Sequence, residues 1–238
     1  MLGARVTIIV GHFGSGKTEI ALNVAVARAE RGEPVALVDL DVVKPYFRSR
    51  AARQFMAERG VRVVAPAGDT IHADLPIIVP EIRRLLSDPQ ATVLMDVGGD
   101  DTGARVLGSL ADVIPREESH HLLVLNFRRP FTEDVPAAEG MLREIEAAAR
   151  LPVTGLISNT HLMAETTPDI VEEGYRLARR VGERVGVPVV AVAADEATRA
   201  QLRDESFPCP ILTLHRYLAP PFANGRQPRR VGPLFVLN

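Results

Sequence analysis

The sequence is constrained most by a glycine-rich stretch near its start, residues 11–18, which fits the pattern G-x-x-x-x-G-K-[ST]. This stretch directly follows the apolar run Val6–Val10 and opens a segment with helical periodicity. Glycines have no Cβ atom, so successive backbone N–H groups can converge on an anion, and the N-terminus of the next helix adds partial positive charge. The stretch therefore predicts a phosphate-binding loop (P-loop) between a strand and a helix.

Each residue type in this P-loop suits a contact with a nucleotide. Lys17 can reach the β- and γ-phosphates, and the hydroxyl of Thr18 is placed to bind Mg²⁺. The chain has only two lysines among its 28 basic residues, so composition does not account for the lysine at position 17. The candidate nucleotide contacts in the loop are Gly11, Gly14, Ser15, Gly16, Lys17 and Thr18.

Beyond the P-loop, apolar runs alternate with amphipathic segments, a pattern typical of βαβ units. Strands are predicted at residues 6–10, 35–38, 61–64, 92–96, 121–125, 153–157 and 188–192. Helices are predicted at residues 16–31, 46–60, 75–87, 107–113, 133–150 and 169–185, with a loop over residues 66–75. We therefore expect an α/β fold of three layers, in which helices flank a mostly parallel β-sheet.

Length and composition predict a single domain over residues 1–238, with an irregular proline-rich tail from about residue 207 and a candidate edge strand at residues 234–237. The net charge of -2 gives no clear sign of nucleic-acid binding. A single cysteine, Cys209, excludes an internal disulfide. Neither a charged leader with an apolar run nor a stretch long enough to span a membrane is present, so we expect a cytoplasmic protein.

Three aspartates fall at predicted carboxyl ends of strands: Asp39, Asp41 and Asp96. Mg²⁺ bound to a nucleoside triphosphate is held by one or two carboxylates together with phosphate oxygens. Asp96 fits the acidic residue of a Walker B strand, with Asp39 and Thr18 as further candidate metal ligands. Gly99, in the turn that follows, is placed to bring a backbone N–H against the γ-phosphate. Any one aspartate alone is better explained by a helix cap or a solvated turn, but all three at one sheet edge beside a P-loop favour a nucleotide site.

These motifs, together with Asn159 after the strand at residues 153–157, resemble the MinD/ParA/CobQ branch of the SIMIBI class of P-loop nucleotide-binding proteins. The resemblance covers residues 5–195 and defines a superfamily, not a reaction. It implies that Asp41 orients the attacking water and that Asp39 supports the site. It also implies that Asn159 pairs with the edge of adenine and that residues 193–195 close over the base.

Two departures from the family pattern affect what the resemblance implies. Relatives that work as ATP-sandwich dimers carry a second lysine, in K-G-G-x-G-K; aligned on Lys17, its position holds His12, and Phe13 replaces the following glycine. A histidine neutral near pH 7 does not replace that lysine, so the sequence leaves open whether the chain forms a homodimer. Residues 159–162 also lack the aspartate with which Asn-Lys-x-Asp proteins read guanine, which favours adenine.

Taken together, these features predict a Mg²⁺-dependent ATP-binding protein, an ATPase that couples its nucleotide state to loop movement and to an unidentified protein partner. In hydrolysis, Lys17 would neutralise charge on the phosphates and Asp41 would position water. Three alternatives stay open. They are a GTPase that matures a metal centre, a kinase or ligase that transfers the γ-phosphate to a small molecule, and a sensor that binds ATP without hydrolysing it.

Overall fold

The structure is a computed structural model that describes residues 3–41, 50–65, 71–98 and 101–217, with only the backbone described at residues 50, 51, 71–78, 101 and 102. Its strands are β1 (Val6–Val10), β2 (Val35–Leu40), β3 (Val61–Val64), β4 (Thr92–Val97), β5 (Ser119–Leu125), β6 (Gly155–Ser158), β7 (Val189–Asp195) and β8 (Ile211–Leu214). Its α-helices are α1 (Lys17–Ala29), α2 (Arg50–Ala57), α3 (Ile71–Ser87), α4 (Asp101–Gly108), α5 (Val135–Ala149), α6 (Pro168–Val185) and α7 (Glu196–Arg199).

The strands of the described chain form one sheet in the order β3-β2-β4-β1-β5-β6-β7-β8, and all neighbouring pairs are parallel. The strand β1 therefore lies inside the sheet, between β4 and β5. Because parallel strands end at the same edge, the segments that follow them open together there. The predicted α/β fold with a mostly parallel sheet is confirmed.

Helices cover both faces of this sheet. Alternate residues of β1 face opposite ways, as the two-residue period of a strand requires: Ile8 packs in the core beneath α3 to α6, and Ile9 in the core beneath α1 and α2. Strands buried on both faces are mostly apolar, which is why β1, β2 and β4 read as nearly continuous apolar runs, with Asp39 and Asp96 near the carboxyl ends of β2 and β4. In the part of the chain that the structure describes, no helix is long and apolar enough to cross a bilayer.

Three predicted boundaries were wrong. The helix α3 begins at Ile71, inside the predicted loop of residues 66–75 and four residues before its predicted start; it contains Pro76 and Pro80, as predicted. The helix α4 spans Asp101–Gly108, whereas the sequence predicts a helix at residues 107–113. The strand β8 lies within the predicted irregular tail, because it completes the sheet edge beside β7. The start of the predicted helix at residue 46 and the candidate strand at residues 234–237 lie outside the described residues.

His121 is a buried titratable group on β5, away from the carboxyl edge of the sheet. Its side chain is almost fully buried, and its Nδ1 lies 3.2 Å from the carbonyl oxygen of Pro152. Nε2 has no hydrogen-bond partner among the described residues, and the ring lines a cavity of about 50 Å³. Burial lowers the pKa of His121 from 6.5 to about 4, so the ring is neutral in the folded protein at neutral pH.

We expect His121 to make the fold acid-sensitive. The unfolded chain binds a proton at this histidine below about pH 6.5, and the folded chain only near pH 4, so stability is lost as the pH falls through this interval. Between pH 7.5 and pH 5 the loss should be about 2 kcal/mol. His121→Gln lacks this group, so its free energy of unfolding should fall by about 2 kcal/mol less than that of the wild type between the two pH values. Urea unfolding at pH 7.5 and pH 5 measures both losses. An equal loss in both proteins would contradict the prediction.

Candidate functional site

The P-loop connects β1 to α1 in the way that the sequence predicts. Gly14 and Gly16 adopt left-handed φ values of 77° and 88°, and Gly16 caps the N-terminus of α1, which begins at Lys17. A Cβ atom on Gly11 would lie 2.7 Å from both the Ser15 Oγ and the carbonyl oxygen of Val124. Glycine is required at these positions because side chains would strain the turn or fill the space around it.

The lysine of the loop is already paired. Lys17 Nζ lies 3.3 Å from Asp41 Oδ2, and only 6% and 11% of the two side chains are exposed. The backbone N–H of Asp41 donates to Asp39 Oδ1 across 3.0 Å, which fixes the turn at the end of β2. The structure thus brings Lys17, Asp39 and Asp41 together as the sequence predicts. In a buried ion pair, removing one partner destabilises the fold, because the other charge is then buried without compensation.

Asp96 lies on β4 directly across from Asp39 and is almost completely buried. Burial raises the pKa of Asp96 from 3.8 to about 6, and nearby Asp41 adds to the rise, while attraction from Lys17 and a hydrogen bond from Thr18 oppose it. Asp96 Oδ1 has no hydrogen-bond partner among the described residues. A buried, unpartnered carboxylate oxygen beside a threonine hydroxyl fits a cation or a cation-bound water.

This arrangement alone does not make a complete metal site. Among the described residues, no group of three or more His, Cys, Asp or Glu side chains is arranged to hold a metal ion. Mg²⁺ bound to a nucleotide is held through one or two carboxylates and takes its other ligands from phosphates and water. Thr18, Asp39 and Asp96 would therefore serve such an ion only together with a phosphate ligand.

Asn159, the predicted adenine contact, lies directly against the P-loop. It follows β6 and is buried, and its Nδ2 donates to the carbonyl oxygen of Ser15 across 2.7 Å. A Cβ atom on Gly16 would lie 2.2 Å from the same nitrogen. The side chain therefore braces the loop, and contact with a base through its other atoms stays a prediction.

Two other parts of the predicted site are residues 193–195 and Gly99. Residues 193–195, predicted to form a loop that closes over the base, are instead the last three residues of β7, and Ala193 and Ala194 are buried. Asp195 caps α7 by accepting hydrogen bonds from the backbone N–H and hydroxyl of Thr198. Gly99, the predicted γ-phosphate contact, lies outside the described residues.

Sequence reasoning missed three residues near the loop: Asn126, Arg129 and His161. Asn126 follows β5 and is fully buried, and its Oδ1 accepts from the backbone N–H groups of Arg128 and His161 at 3.0 and 3.3 Å. It therefore ties the segment after β5 to the segment after β6. Asn126 lies just past an apolar strand, as Asn159 does, and this position is the signal that could have identified it.

His161 lies beside Gly16, with its Nε2 at 3.7 Å from the position that a Cβ atom on Gly16 would take. Burial, together with the positive charges of Arg129 and Arg216, lowers the pKa of His161 from 6.5 to about 4. Its Nδ1 accepts from the backbone N–H of Met163. The neutral ring therefore carries its proton on Nε2, which faces the P-loop.

Exposed apolar side chains lie in the P-loop and in the segments that follow β5 and β6. We call Phe13, Phe131, Leu162 and Met163 the apolar rim, because these four large apolar side chains are all exposed. The ring of Phe131 lies 5.1 Å from that of His12. Phe131 and Met163 have positive φ values of 68° and 57°, which are uncommon for residues other than glycine and cluster at functional sites.

Gly16→Ala should destabilise the fold more than the same change at Gly32. Both glycines have positive φ values, 88° and 83°, so both substitutions introduce backbone strain of about 1 kcal/mol. A Cβ atom on Gly32 meets no atom within 4 Å, whereas one on Gly16 would displace Asn159 from Ser15. Urea unfolding should therefore show a further loss of about 2 kcal/mol for Gly16→Ala. Equal losses would mean that Asn159 moves aside freely.

Asp96→Asn should stabilise the protein when no nucleotide or metal is present. The folded protein keeps a proton on Asp96 up to about pH 6, and the unfolded chain only up to about pH 4, so the ionised carboxylate destabilises the fold above pH 6. The variant should gain up to about 3 kcal/mol at pH 7.5, and this gain should disappear as the pH falls to 4. Unfolding at a series of pH values measures it. A variant less stable than the wild type at pH 7.5 would show that the contacts with Lys17 and Thr18 outweigh burial.

Comparison with solved structures supports the fold. FtsY from Elizabethkingia anophelis in complex with GDP has a TM-score of 0.52 and 22% identity, over 79% of this chain and 56% of that one. FtsY from Thermotoga maritima has a TM-score of 0.51 and 18% identity, over 79% of this chain and 61% of that one. The chain thus spans about three fifths of the length of these relatives, and at such identities the likeness shows a shared fold. A search of curated protein sequences gives no match.

One protein family model matches most of the sequence. Residues 6–203 match the family described as the CobQ/CobB/MinD/ParA nucleotide binding domain. The matched range contains the P-loop, the three aspartates and Asn159, and it runs from β1 through the end of α7. The chain belongs to the CobQ/CobB/MinD/ParA family of P-loop nucleotide-binding domains.

Proposed function

We propose that this chain is a Mg²⁺-dependent ATPase in which nucleotide binding moves the segment that begins at Asp41. The observation that carries the proposal is the contact between Lys17 and Asp41, 3.3 Å apart beside the P-loop. Lys17 is the group that should bind phosphate, yet a carboxylate from the end of β2 neutralises it. A bound phosphate chain would compete for Lys17, so nucleotide binding would release Asp41 from this contact.

Each residue of the site has a role in the proposed hydrolysis. Lys17 and the N–H groups of the P-loop bind the phosphates and stabilise the charge that develops on the transferred group. Asp41, once released, orients the attacking water, and Asp39 holds the backbone N–H of Asp41. Thr18 and Asp96 would hold Mg²⁺, which when bound supplies positive charge to the phosphate oxygens.

Adenine is the proposed base, and guanine is the alternative. Residues 159–162 read Asn-Thr-His-Leu and contain no aspartate to accept hydrogen bonds from guanine, which supports ATP. The FtsY structure that contains GDP shares this fold, which supports GTP as a second candidate. A GTPase that matures a metal centre, a kinase or ligase, and an ATP sensor remain alternatives within the same site.

A protein partner is part of the proposal. The apolar rim supports it, because exposed apolar groups beside a site mark interaction surfaces. The partner would be a client protein or a second copy of this chain. We further propose that the protein acts in the cytoplasm.

Lys17→Ala should weaken ATP binding by at least about 100-fold, because it removes the charged phosphate contact of the loop. Calorimetry with ATP and with GTP, each with and without Mg²⁺, measures binding, and phosphate release from the same samples measures turnover. Arg179→Ala is the matched control, since Arg179 lies on the surface of α6 paired with Glu183. Asp41→Asn should retain ATP binding and lose phosphate release.

Each other outcome selects a different function. Tighter binding of GTP would overturn the proposed base. Tight ATP binding by the wild type without phosphate release would favour the sensor, or a kinase or ligase that lacks its acceptor. Equal ATP affinity in the wild type and Lys17→Ala would refute a nucleotide function for this loop.

A further inference from the structure

The two strands beside β1 deliver residues of opposite charge to the P-loop. On one side, β4 carries Asp96, and β2 beyond it leads to Asp41. On the other side, the segment after β5 carries Arg129, whose Nε donates to the carbonyl oxygen of Gly14 across 3.2 Å. Atoms of the Arg129 side chain lie 3.2 to 3.6 Å from the position that a Cβ atom on Gly14 would take.

We propose that Arg129 is the second phosphate-binding cation of this site, contacting the γ-phosphate of a bound nucleoside triphosphate from the side opposite Asp96. This inference rests on the proposed function, since it assigns a further residue to the same site. Arg129 would supply, from the same chain, the positive charge that sandwich-dimer relatives carry as a lysine at the position of His12.

The balance of charges at the site favours a second positively charged side chain near the phosphates. Asp39, Asp41 and Asp96 bring three carboxyl groups near the loop, and Lys17 is already paired with one of them. A nucleoside triphosphate remains anionic after one Mg²⁺ binds, so its transfer step needs further positive charge close to the phosphates. Arg129 is a basic side chain that contacts the loop backbone from outside the acidic cluster. A guanidinium suits this position because its planar fork of donors matches phosphate oxygens.

The backbone of Arg129 is also held in place by hydrogen bonds within its own turn. Its backbone N–H donates to the carbonyl oxygen of Asn126 across 3.2 Å, and the hydroxyl of Thr132 donates to the same oxygen across 2.7 Å. The backbone N–H of Thr132 donates in turn to the carbonyl oxygen of Arg129. Phe131, within this turn, has the strained φ of 68°. Fixing the backbone in advance lowers the entropy that a bound phosphate would otherwise have to offset.

The guanidinium of Arg129 keeps donors for a ligand. Its bond to Gly14 uses Nε, one of five N–H groups. Within the described ranges, Arg129 forms no salt bridge, whereas its neighbour Arg128 pairs with Glu173 on α6. The nearby ring of His161 is neutral, because burial holds its pKa near 4, so it does not compete for an anion. Arg128 is therefore a matched control: it is adjacent in sequence and equally charged, and its charge is already paired.

The test compares Arg129→Ala, Arg129→Lys and Arg128→Ala with the wild type. Calorimetry with Mg²⁺ measures affinity for ADP and for the imido analogue of ATP, which is not hydrolysed, and phosphate release measures turnover. If Arg129 binds the γ-phosphate, which ADP lacks, Arg129→Ala should lose at least about tenfold more affinity for the triphosphate analogue than for ADP. Turnover should fall about 100-fold, Arg129→Lys should recover part of both losses, and Arg128→Ala should match the wild type.

The ratio of the two affinities separates phosphate contact from support of the loop. An Arg129→Ala protein that binds the triphosphate analogue and ADP with equally reduced affinity would overturn the proposal, because a loosened Gly14 affects both ligands alike. Unchanged affinities and turnover would overturn it as well. Failure of the proposed function would give a different result. The wild type and Lys17→Ala would then bind ADP and the triphosphate analogue with equal affinity, or neither protein would bind them.

Discussion

The common direction of the strands is the constraint on which the whole site depends. Parallel strands end at one edge of a sheet, so groups that follow different strands meet there even when they are far apart in the chain. Each component of this site follows or ends a strand: the P-loop after β1, Asp41 after β2, Asp96 in β4, Asn126 after β5 and Asn159 after β6. Reversing one strand would remove its residue from the site without changing the local sequence.

The P-loop is held by different forces on its two sides. Toward β4 and β2 the contacts are electrostatic, since Lys17 pairs with Asp41 beside the buried Asp96. Toward β5 and β6 they are hydrogen bonds to the loop backbone, from Arg129 to Gly14 and from Asn159 to Ser15. A loop of glycines has little side-chain packing of its own, so these contacts keep its backbone ordered for an anion.

The electrostatics of the acidic side oppose stability. Asp96 is buried with one oxygen unpartnered among the described residues, and its raised pKa reflects a carboxylate whose ionised form is disfavoured in the folded protein. Proteins retain such groups where ligand binding compensates for them, because binding residues are often not the most stabilising ones. The same reasoning applies to Phe131 and Met163, whose backbone strain lies in the apolar rim.

The sequence by itself determined the P-loop, the parallel sheet and the three aspartates. Glycines, a lysine before a threonine and apolar runs specify backbone geometry locally, so no distant contact is needed to recognise them. Only the tertiary structure decided that α3 begins at Ile71, that β8 joins the sheet, and that Asn159 braces the loop. Ser15 and Asn159 are 144 residues apart, and Gly14 and Arg129 are 115 apart. Contacts at such separations depend on strand order and packing, which the sequence pattern of one segment does not contain.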